Sequence, residues 1–476
     1  MPDPFDLVAI GGGTAGLVTA AGAAYLGARA ALIERHRLGG DCLWTGCVPS
    51  KALIASAHAA AIRRHGEALG LGGGVPAEPD FAAVMASMRQ ARDLAGRPDD
   101  PARFRRLGVE VVFGEAEFDS GGMVRVGERV LRARRIVIAT GSRPGVAPIP
   151  GLEAAGYLTH ETVFDLTTAP ASVALIGGGP IGVEFAQIFQ RLGVPVTLFE
   201  ALPRILPRDD PEAAEVVRQA LEADGVVLHT GVAIRRIEAA PGGKTVVWQR
   251  GQEPEQRTTV HTLFVAAGRL PRIEGLGLER IGVATERGAV RVDRTLRTTR
   301  PGVWAAGDVT GGPQFTHVAD YHARLVVRNA LVPVPRARVD YRAVPWVTYS
   351  DPELARVGLS EAEAAAAGLR HRVWRYDFAE LDRAITDRRR EGFVKLVATP
   401  GGRILGATIV GAGAGNLIAP VVLAMHQKLP LSTLAQVVYP YPTMSEGILR
   451  AATLSRRAQL DSWAGRLLQR IVRWGL

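Results

Sequence analysis

The stretch Gly11-Gly12-Gly13-Thr14-Ala15-Gly16 determines the fold of the first part of this chain. An apolar run, Phe5 to Ile10, precedes it, and an alanine-rich stretch, Leu17 to Gly27, follows it. A second apolar run, Ala30 to Ile33, then ends in Glu34. This order predicts a strand, a glycine turn, a helix and a second strand that carries a carboxylate, which is the pattern of a Rossmann-type dinucleotide-binding unit.

The same pattern recurs further along the chain. Ser172 to Ile176 predicts a strand, Gly177-Gly178-Gly179-Pro180-Ile181-Gly182 a second glycine turn, and a helix runs from there to about Leu192. The next predicted strand, Val194 to Phe199, ends in Glu200. The first glycine and the glutamate are 23 positions apart in both copies. One such motif is a weak signal. Two copies with the same order of elements and the same spacing to the glutamate predict two dinucleotide sites.

Each glycine of the motif has its own physical task. The first makes the turn, the second lets the backbone approach a pyrophosphate, and the third lets the helix pack on the strand; these are Gly11, Gly13 and Gly16 in the first copy and Gly177, Gly179 and Gly182 in the second. Glu34 and Glu200 can each accept a hydrogen bond from a ribose hydroxyl. Two dinucleotides in one chain indicate an electron relay, in which the first site keeps FAD and the second exchanges NAD(H), with NADP(H) possible.

The first copy contains an insertion. Arg135 to Gly141 closes the first unit much as Leu263 to Gly268 closes the second, but the first glycine and the closing glycine are 130 residues apart in the first copy and 91 in the second. The 39 extra residues are expected between Leu38 and Arg106, in two alanine-rich helical stretches. Both cysteines of the chain, Cys42 and Cys47, lie in this insertion.

The cysteine pair predicts redox chemistry. A plain helix would place residues five apart on different faces, but Gly46 permits a distortion that could bring the two sulfurs to bonding distance. The alternatives are an inert buried pair or half of a metal site, and we expect no metal because the ten histidines show no ligand cluster. A helix that begins just after Cys47, with Lys51 one turn on, should lower the pKa of the thiol and favour charge transfer to a flavin.

Composition excludes several classes of protein. The net charge is +10, but the arginines are dispersed and no basic arm with interleaved aromatic residues occurs, so we expect no nucleic-acid partner. The N-terminus has no features of a secretion signal, and no stretch approaches the ~20 apolar residues of a membrane span. We therefore expect a cytoplasmic protein.

The predicted fold class is α/β, with two Rossmann-like dinucleotide-binding domains and a C-terminal α+β dimerisation domain. The run Val303 to Asp308 should return a strand to the first domain, and from Val344 onward strand-like runs and a helix, Ile418 to Gln427, suggest the α+β domain. The expected divisions are an FAD domain with the redox-cysteine insertion, an NAD(P) domain, a central segment completing the FAD domain, the dimerisation domain and a basic amphipathic tail, at 1–147, 148–270, 271–341, 342–455 and 456–476.

These motifs together resemble the pyridine nucleotide-disulfide oxidoreductases, the family of dihydrolipoamide dehydrogenase, glutathione reductase and mercuric reductase. The resemblance runs from about Phe5 to about Ala452. It rests on both glycine motifs, the run Gly39 to Lys51, Ala139-Thr140-Gly141, Glu184 and Ala306-Gly307-Asp308.

The resemblance implies roles for individual residues. Cys42 would be the interchange thiol that meets the substrate, and Cys47 the thiol that contacts the flavin. Lys51 and Glu184 match the family's ion pair beside the flavin and the nicotinamide, and Asp308 matches the carboxylate on the ribityl chain of FAD. The other positions at which the motifs imply cofactor binding are Gly40, Asp41, Thr140, Gly141, Gly268 and Gly307.

One departure concerns the substrate. The family has a C-terminal His-Pro-Thr followed by a glutamate. The corresponding stretch here is Tyr441-Pro442-Thr443-Met444-Ser445-Glu446, so a phenol stands in place of the acid-base imidazole. Mercuric reductase resembles this chain at the tyrosine, but its second, C-terminal cysteine pair has no counterpart here. In the family the segment from Tyr441 to Glu446 completes the thiol site of the other subunit, which implies a homodimer. Tyr441 either packs at that interface or forms a hydrogen bond.

The tail is a second departure. Apolar residues recur there at helical spacing with arginines among them: Leu460, Trp463, Leu467, Ile471 and Trp474, with Arg466, Arg470 and Arg473. We expect this helix to pack on the protein's own body or on its partner, and the alternative is a membrane surface.

The function that these motifs favour is transfer of a hydride from NADH to FAD, then to the Cys42–Cys47 disulfide, and then to a small-molecule or protein-bound thiol or disulfide acceptor, as in dihydrolipoamide dehydrogenase. A mercuric-reductase-like or quinone-reducing enzyme and a membrane-associated redox sensor are the alternatives.

Overall fold

The computed structural model describes residues 4–64, 70, 78–460 and 463–475. Part of the predicted insertion, at 65–69 and 71–77, lies outside these residues, as do the side chains of Leu460 and Trp463 in the predicted tail stripe.

The first region contains the first glycine motif and the cysteines. Its strands and helices are β1 (Leu7–Ile10), α1 (Thr14–Tyr25), β2 (Ala30–Glu34), α2 (Gly40–Trp44), α3 (Cys47–Arg64), α4 (Phe81–Gly96), α5 (Pro101–Arg106), β3 (Val109–Phe113), β4 (Ala116–Phe118), β5 (Val124–Val126), β6 (Arg129–Leu131), β7 (Ile136–Ile138) and β8 (Ser142–Pro144). The helix α1 begins three residues earlier than the predicted Leu17, because the last three residues of the glycine motif already form its first turn.

The second region repeats the unit and adds an antiparallel sheet. Its elements are α6 (Leu152–Ala155), β9 (Val173–Ile176), α7 (Pro180–Arg191), β10 (Val196–Glu200), α8 (Pro211–Ala223), β11 (Val227–Thr230), β12 (Val232–Ala240), β13 (Gly243–Arg250), β14 (Gln256–Val260), β15 (Thr262–Val265) and β16 (Arg269–Pro271). Four parallel strands lie in the order β11-β10-β9-β15, and β12, β13 and β14 form a separate three-stranded sheet.

The chain then returns to the first sheet through β17 (Thr285–Glu286), β18 (Ala289–Val290), β19 (Val303–Ala305) and α9 (Thr316–Leu331). β19 pairs in parallel with β7 and completes the order β19-β7-β1-β2-β3, so the predicted return of this strand is confirmed. The strand β1 is buried on both faces, which explains its uninterrupted apolar sequence. The turns that follow β1, β7 and β19 meet at the carboxyl edge of the sheet, where parallel α/β sheets bind ligands.

The last region is built on an antiparallel sheet. Its elements are β20 (Pro345–Thr348), β21 (Glu353–Gly358), α10 (Glu361–Ala366), β22 (Arg372–Asp377), α11 (Asp382–Thr386), β23 (Phe393–Ala398), β24 (Ile404–Gly411), α12 (Ala414–Leu417), α13 (Ala419–His426), α14 (Leu431–Leu434), α15 (Glu446–Leu460) and α16 (Trp463–Trp474). The strand order is β20-β21-β24-β23-β22. The sequence did not predict β21 and β22: a charged residue, Arg356, interrupts the apolar run of β21, and β22 is mostly half-exposed.

The tail forms the predicted helix. Leu467, Ile471 and Trp474 are each at least half exposed, so they are not buried against the described part of their own chain, and packing on a partner subunit stays a prediction. Among the described residues no helix is long and apolar enough to cross a membrane.

Candidate active site

The first glycine turn joins β1 to α1. Gly11 has a φ of +111°, and a Cβ there would lie 2.3 Å from the carbonyl oxygen of Ala139, which follows β7. A Cβ on Gly16 would lie 1.8 Å from the carbonyl oxygen of Gly11. Glycine is therefore required at Gly11 by conformation and at Gly16 by the contact between helix and turn.

The second glycine turn has the same geometry between β9 and α7. Gly177 has a φ of +113°, and its Cβ would lie 2.5 Å from the carbonyl oxygen of Ala266. A Cβ on Gly182 would lie 1.9 Å from the carbonyl oxygen of Gly177. The internal repeat therefore extends to individual atomic contacts.

The two glutamates at the ends of the second strands brace these turns. Glu34 Oε2 accepts a hydrogen bond from Gly12 N, and Glu200 Oε2 accepts one from Gly178 N, both at 2.6 Å. The Oε1 atom of each accepts from the backbone N–H two residues further on, at 2.9 Å and 2.7 Å. A carboxylate has about four acceptor positions, so each can also receive a ribose hydroxyl.

Both helices that follow the turns present backbone N–H groups without a side-chain cap. Gly13 and Gly179 are the N-cap residues, and neither α1 nor α7 has a side-chain hydrogen bond at this end. Apart from its chain neighbours, no atom of the described residues lies within 4 Å of a Cβ built on Gly179. Uncapped N–H groups and the positive end of the helix dipole suit a phosphate. The two turns face one cavity of about 2060 Å³, twice the upper size of an ordinary ligand pocket, so the residues present fit two dinucleotides.

Asp41 and Asp308 are joined by a chain of hydrogen bonds along the wall of this cavity. Asp308 accepts a hydrogen bond from Ser142 Oγ at 2.6 Å, and Ser142 Oγ accepts one from Arg269 Nε at 2.9 Å. Arg269 also forms an ion pair with Asp41. Burial raises the pKa of Asp308, and the hydrogen bond from Ser142 opposes that shift.

The other predicted cofactor-binding residues also line the cavity. Thr140 Oγ1 donates to the carbonyl oxygen of Arg272 at 2.6 Å, and Gly307 N donates to Nδ1 of the buried His322 at 3.1 Å. The remaining lining residues of this set are Gly40, Gly141 and Gly268.

One group of metal-type side chains lies at the same place. Ligand-type atoms of Asp41, His160 and Glu161 lie within 4.8 Å of one another. Arg269 contacts Asp41 and His160, and Arg272 pairs with Glu161 at 3.0 Å. The positive charges of Arg269 and Arg272 neutralise the two carboxylates, so this cluster does not need a metal ion to balance its charge.

The two cysteines lie on consecutive helices. Cys42 is on α2, which ends at Trp44, and Cys47 is the first residue of α3. A Cβ on Gly46 would lie 2.8 Å from the carbonyl oxygen of Asp41, so Gly46 permits the tight connection by its small size. This break in the helix brings the two thiols close enough that each shifts the pKa of the other.

The environment distinguishes the two thiols. The hydrogen bond from Cys42 lowers the pKa of Cys47, and Thr316 and Lys51 lower it further. The same sulfur–sulfur hydrogen bond, together with burial, raises the pKa of Cys42. Thr316 Oγ1 lies 3.3 Å from Cys47 Sγ, and its hydroxyl can donate to a Cys47 thiolate. The Thr316 hydroxyl therefore favours a negative charge on Cys47.

Lys51 and Glu184 form an ion pair between the two dinucleotide units. Lys51 Nζ lies 2.9 Å from Glu184 Oε2, and it lies 4.4 Å from the centre of the Tyr349 ring. Glu184 is buried, and its Oε1 accepts a hydrogen bond from Tyr349 N at 3.0 Å. The first unit, the second unit and the C-terminal region thus meet at one charged pair beside the thiols.

The predicted C-terminal residues lie elsewhere in the single chain. Tyr441 is exposed, and its hydroxyl donates to Asp382 Oδ2 at 3.0 Å; this hydrogen bond raises the pKa of Tyr441. Glu446 is buried and accepts from Arg450 at 3.5 Å rather than contacting Tyr441. Neither Tyr441 nor Glu446 lines the cavity that holds Cys42 and Cys47.

Three residues of the site were not found from the sequence. Arg269 lies 228 positions from Asp41 and Thr316 lies 269 positions from Cys47, and Tyr349 contacts Lys51 through its ring. Arg269 directly follows the predicted closing glycine, and this proximity was the one available signal.

Comparison with known proteins agrees with this geometry. The sequence profile of the family described as pyridine nucleotide-disulphide oxidoreductase matches residues 5–323, and that of its dimerisation domain matches 344–452. A mercuric reductase from Streptomyces lividans is 38% identical, over 97% of this chain and 98% of that protein. A dihydrolipoyl dehydrogenase from Rhizobium etli is 33% identical, over 98% of this chain and 100% of that protein.

Solved structures are similar over almost the whole chain. The HOCl-induced flavoprotein disulfide reductase RclA from Escherichia coli, in its Cu(II) complex, superposes with a TM-score of 0.85 at 30% identity and covers 95% of this chain and 100% of its own. LpdA from Mycobacterium tuberculosis superposes with a TM-score of 0.84 at 27% identity, over 94% and 99% of the two chains. The predicted fold class is confirmed, as is the resemblance to a family of FAD- and pyridine nucleotide-dependent oxidoreductases acting on sulfur groups. This chain belongs to the pyridine nucleotide-disulphide oxidoreductase family.

Proposed function

We propose that this chain is an NADH-dependent flavoprotein disulfide oxidoreductase in which Cys47 faces the flavin and Cys42 meets the acceptor. The observation that carries this proposal is the contact between Thr316 Oγ1 and Cys47 Sγ at 3.3 Å. Once the disulfide is reduced, this hydroxyl can donate to a Cys47 thiolate, which lowers the pKa of Cys47.

The first site holds FAD in this proposal. The N-terminus of α1 and the turn from Gly11 to Gly16 would receive the pyrophosphate, Glu34 the adenosine ribose, and Asp308 the ribityl chain. FAD, when bound, supplies the two-electron relay between nicotinamide and thiols. Lys51 would hold a positive charge beside the ring, and Glu184 fixes the position of Lys51 at 2.9 Å.

The second site holds NADH rather than NADPH. Glu200 ends β10, where the motif is expected to hold the adenosine ribose, and bringing its carboxylate next to a 2′-phosphate can cost several kcal/mol. The guanidinium of Arg204 donates to the carbonyl oxygens of Leu206, Pro207 and Asp209, which leaves it less available to offset that repulsion. Arg208 is exposed and lines the cavity, so it opposes the preference for NADH.

The acceptor is a thiol or disulfide that does not depend on an acid-base group at Tyr441. The phenol donates to Asp382, and the raised pKa of Tyr441 makes it a poor proton acceptor near neutral pH. Dihydrolipoamide and mercuric ion, the substrates that the names of the relatives indicate, therefore both need direct tests.

A homodimer is part of the proposal. The match of 344–452 to a dimerisation domain supports it, as does the separation of Tyr441 and Glu446 from the thiols of their own chain. We propose a cytoplasmic location as well.

The test is a screen of NADH oxidation by the flavin-loaded protein against lipoamide, protein-bound lipoyl groups, glutathione disulfide, quinones and Hg(II). Cys42→Ser should abolish turnover of the thiol or disulfide acceptor. If Cys42→Ser retains the activity of the best acceptor, the thiol pair does not carry the reaction and the proposal fails.

A further inference from the structure

The C-terminal helix α16 carries two stripes of opposite character. Residues four and seven positions apart lie on one face of a helix, so each stripe is continuous along about two turns. The basic stripe is Arg466, Arg470 and Arg473, and the apolar stripe, one position further on, is Leu467, Ile471 and Trp474.

The apolar stripe is not covered in the described chain. Ile471 is 58% exposed, Leu467 is 50% exposed and Trp474 is 90% exposed, and Val472 beside them is 55% exposed. α16 contacts α15, which leads from the dimerisation region, but this contact leaves the apolar side open. A contiguous exposed apolar face on a folded protein indicates a surface that binds something.

Charge identifies the occupant. The segment from Gly447 to the C-terminus contains six arginines and one acidic residue, Asp461. Arginine side chains can lay their stems along an apolar surface while the guanidinium reaches a phosphate, so Arg470 and Arg473 can bind headgroups while the apolar stripe enters the layer below them. An anionic bilayer complements this charge, whereas a neutral one does not.

A second copy of the chain is a poorer occupant. A symmetric interface pairs a surface patch with the same patch of the other subunit, so two arginine-rich segments would face each other, and like charges opposite one another are unfavourable. The match to the family's dimerisation domain also ends at residue 452, before α16 begins.

We propose that α16 is a peripheral membrane-docking helix that lies in the headgroup layer of an anionic lipid bilayer, with Leu467, Ile471 and Trp474 turned toward the acyl chains. At 1.5 Å per residue the helix is about 18 Å long, and it lies along the surface rather than crossing it. Docking of α16 on the bilayer is independent of which acceptor the enzyme reduces.

The experiment is co-sedimentation of the flavin-loaded full chain with vesicles of phosphatidylglycerol and phosphatidylcholine, and with vesicles of phosphatidylcholine alone. Ile471→Glu tests the apolar stripe, and Val130→Glu is the matched control because Val130 is 44% exposed in the first region, far from the tail in sequence. The double variant Arg470→Gln, Arg473→Gln tests the charge. Light scattering of each variant measures the oligomeric state.

We expect at least tenfold more binding to the anionic vesicles than to the neutral ones, and a further weakening as salt rises. Ile471→Glu should remove the binding, the double arginine variant should remove the preference for anionic lipid, and Val130→Glu should change neither. Trp474 fluorescence should be quenched by a bilayer-located quencher, and Trp474→Phe should lose that component.

Equal binding to both kinds of vesicle, or none, would overturn the proposal. So would an Ile471→Glu protein that changes from dimer to monomer while its vesicle binding stays the same, since α16 would then be a contact between subunits. The NADH-dependent reduction of an acceptor should be unchanged in Ile471→Glu, and this readout separates failure of the docking proposal from failure of the proposed function.

Discussion

The two dinucleotide units of this chain have the same backbone and different chemistry. A Cβ added at the first or third glycine of each turn would lie close to a backbone oxygen, and these distances differ by at most 0.2 Å between the two turns. The glutamate of each unit accepts the equivalent backbone hydrogen bond at 2.6 Å. Only the first unit carries an insertion, and that insertion places Cys42 and Cys47 between the units. The shared turn therefore suits a dinucleotide in both units. The inserted thiols give the first unit a group that can accept electrons from the flavin.

The largest expected effect comes from the third glycine of each motif. Gly16→Ala should prevent FAD retention and destabilise the fold by more than ~1–3 kcal/mol, because a Cβ would lie 1.8 Å from a backbone oxygen. Gly182→Ala should keep FAD and lose reduction by NADH. The ratio of flavin to protein, thermal unfolding and NADH-dependent bleaching measure these outcomes.

Gly179→Ala is the matched control for that pair. Within the part of the chain that the structure describes, only chain neighbours lie within 4 Å of a Cβ added there, so the fold should be unchanged, while the methyl group should weaken NADH binding by blocking the approach of the pyrophosphate. If Gly182→Ala loses FAD as readily as Gly16→Ala, the assignment of the two sites is wrong.

The next effect concerns proton transfer at the inserted thiols. Free dihydrolipoamide should be a slow substrate at pH 7, since a positioned base typically contributes ~10²- to 10⁴-fold and a phenol, whose ordinary pKa of about 10 is raised further at Tyr441 by the bond to Asp382, is protonated at that pH. Tyr441→His should increase its turnover near neutral pH, and Tyr441→Phe should leave the slow rate almost unchanged. Rapid turnover by the wild type that Tyr441→Phe abolishes would show that the phenol is the working acid-base group.

Thr316 offers a smaller and more specific test of how the first unit tunes its thiols. A hydrogen bond to a charged group contributes ~1.5–3 kcal/mol and one pKa unit is ~1.4 kcal/mol, so Thr316→Val should raise the pKa of Cys47 by about one to two units. Because the wild-type pKa is lowered, its thiolate persists as pH falls, and the variant should lose the thiolate at higher pH.

The readout for Thr316 is the pH dependence of the long-wavelength absorbance of the two-electron-reduced protein. Thr316→Ser keeps the hydroxyl and should restore the wild-type profile. A Thr316→Val profile that coincides with the wild type would mean that the hydroxyl does not stabilise the thiolate.

The smallest expected effect distinguishes the nucleotide preference set by Glu200 from the role of Glu34. Glu200→Gln should improve the use of NADPH relative to NADH by about tenfold, the equivalent of ~1.4 kcal/mol, because it removes a like charge from the position of the 2′-phosphate. Glu34→Gln should leave the ratio of kcat/KM for the two nucleotides unchanged. A wild type that already prefers NADPH would contradict the assignment of Glu200.

The sequence predicted the structural features that depend on residues close to one another along the chain. The two glycine turns, the returning strand that ends before Asp308 and the helix break at Gly46 all follow from spacing and from residue size. The contacts of Arg269 with Asp41 and of Thr316 with Cys47 were not predictable in this way, because each joins residues more than two hundred positions apart whose proximity only the packing of the units determines. The strand β21 was missed for a related reason: the buried Arg356 is compensated by Glu363 on the following helix, so its charge does not mark an exposed position.

The central claim is that Cys47, and not Cys42, is the thiol beside the flavin. The most direct measurement is the visible spectrum of the oxidised, flavin-loaded Cys42→Ser and Cys47→Ser proteins. Cys42→Ser leaves Cys47 free, and it should show the long-wavelength band of a thiolate against oxidised flavin without any reductant, whereas Cys47→Ser should not. A band in Cys47→Ser and none in Cys42→Ser would contradict the account and reverse the roles of the two thiols.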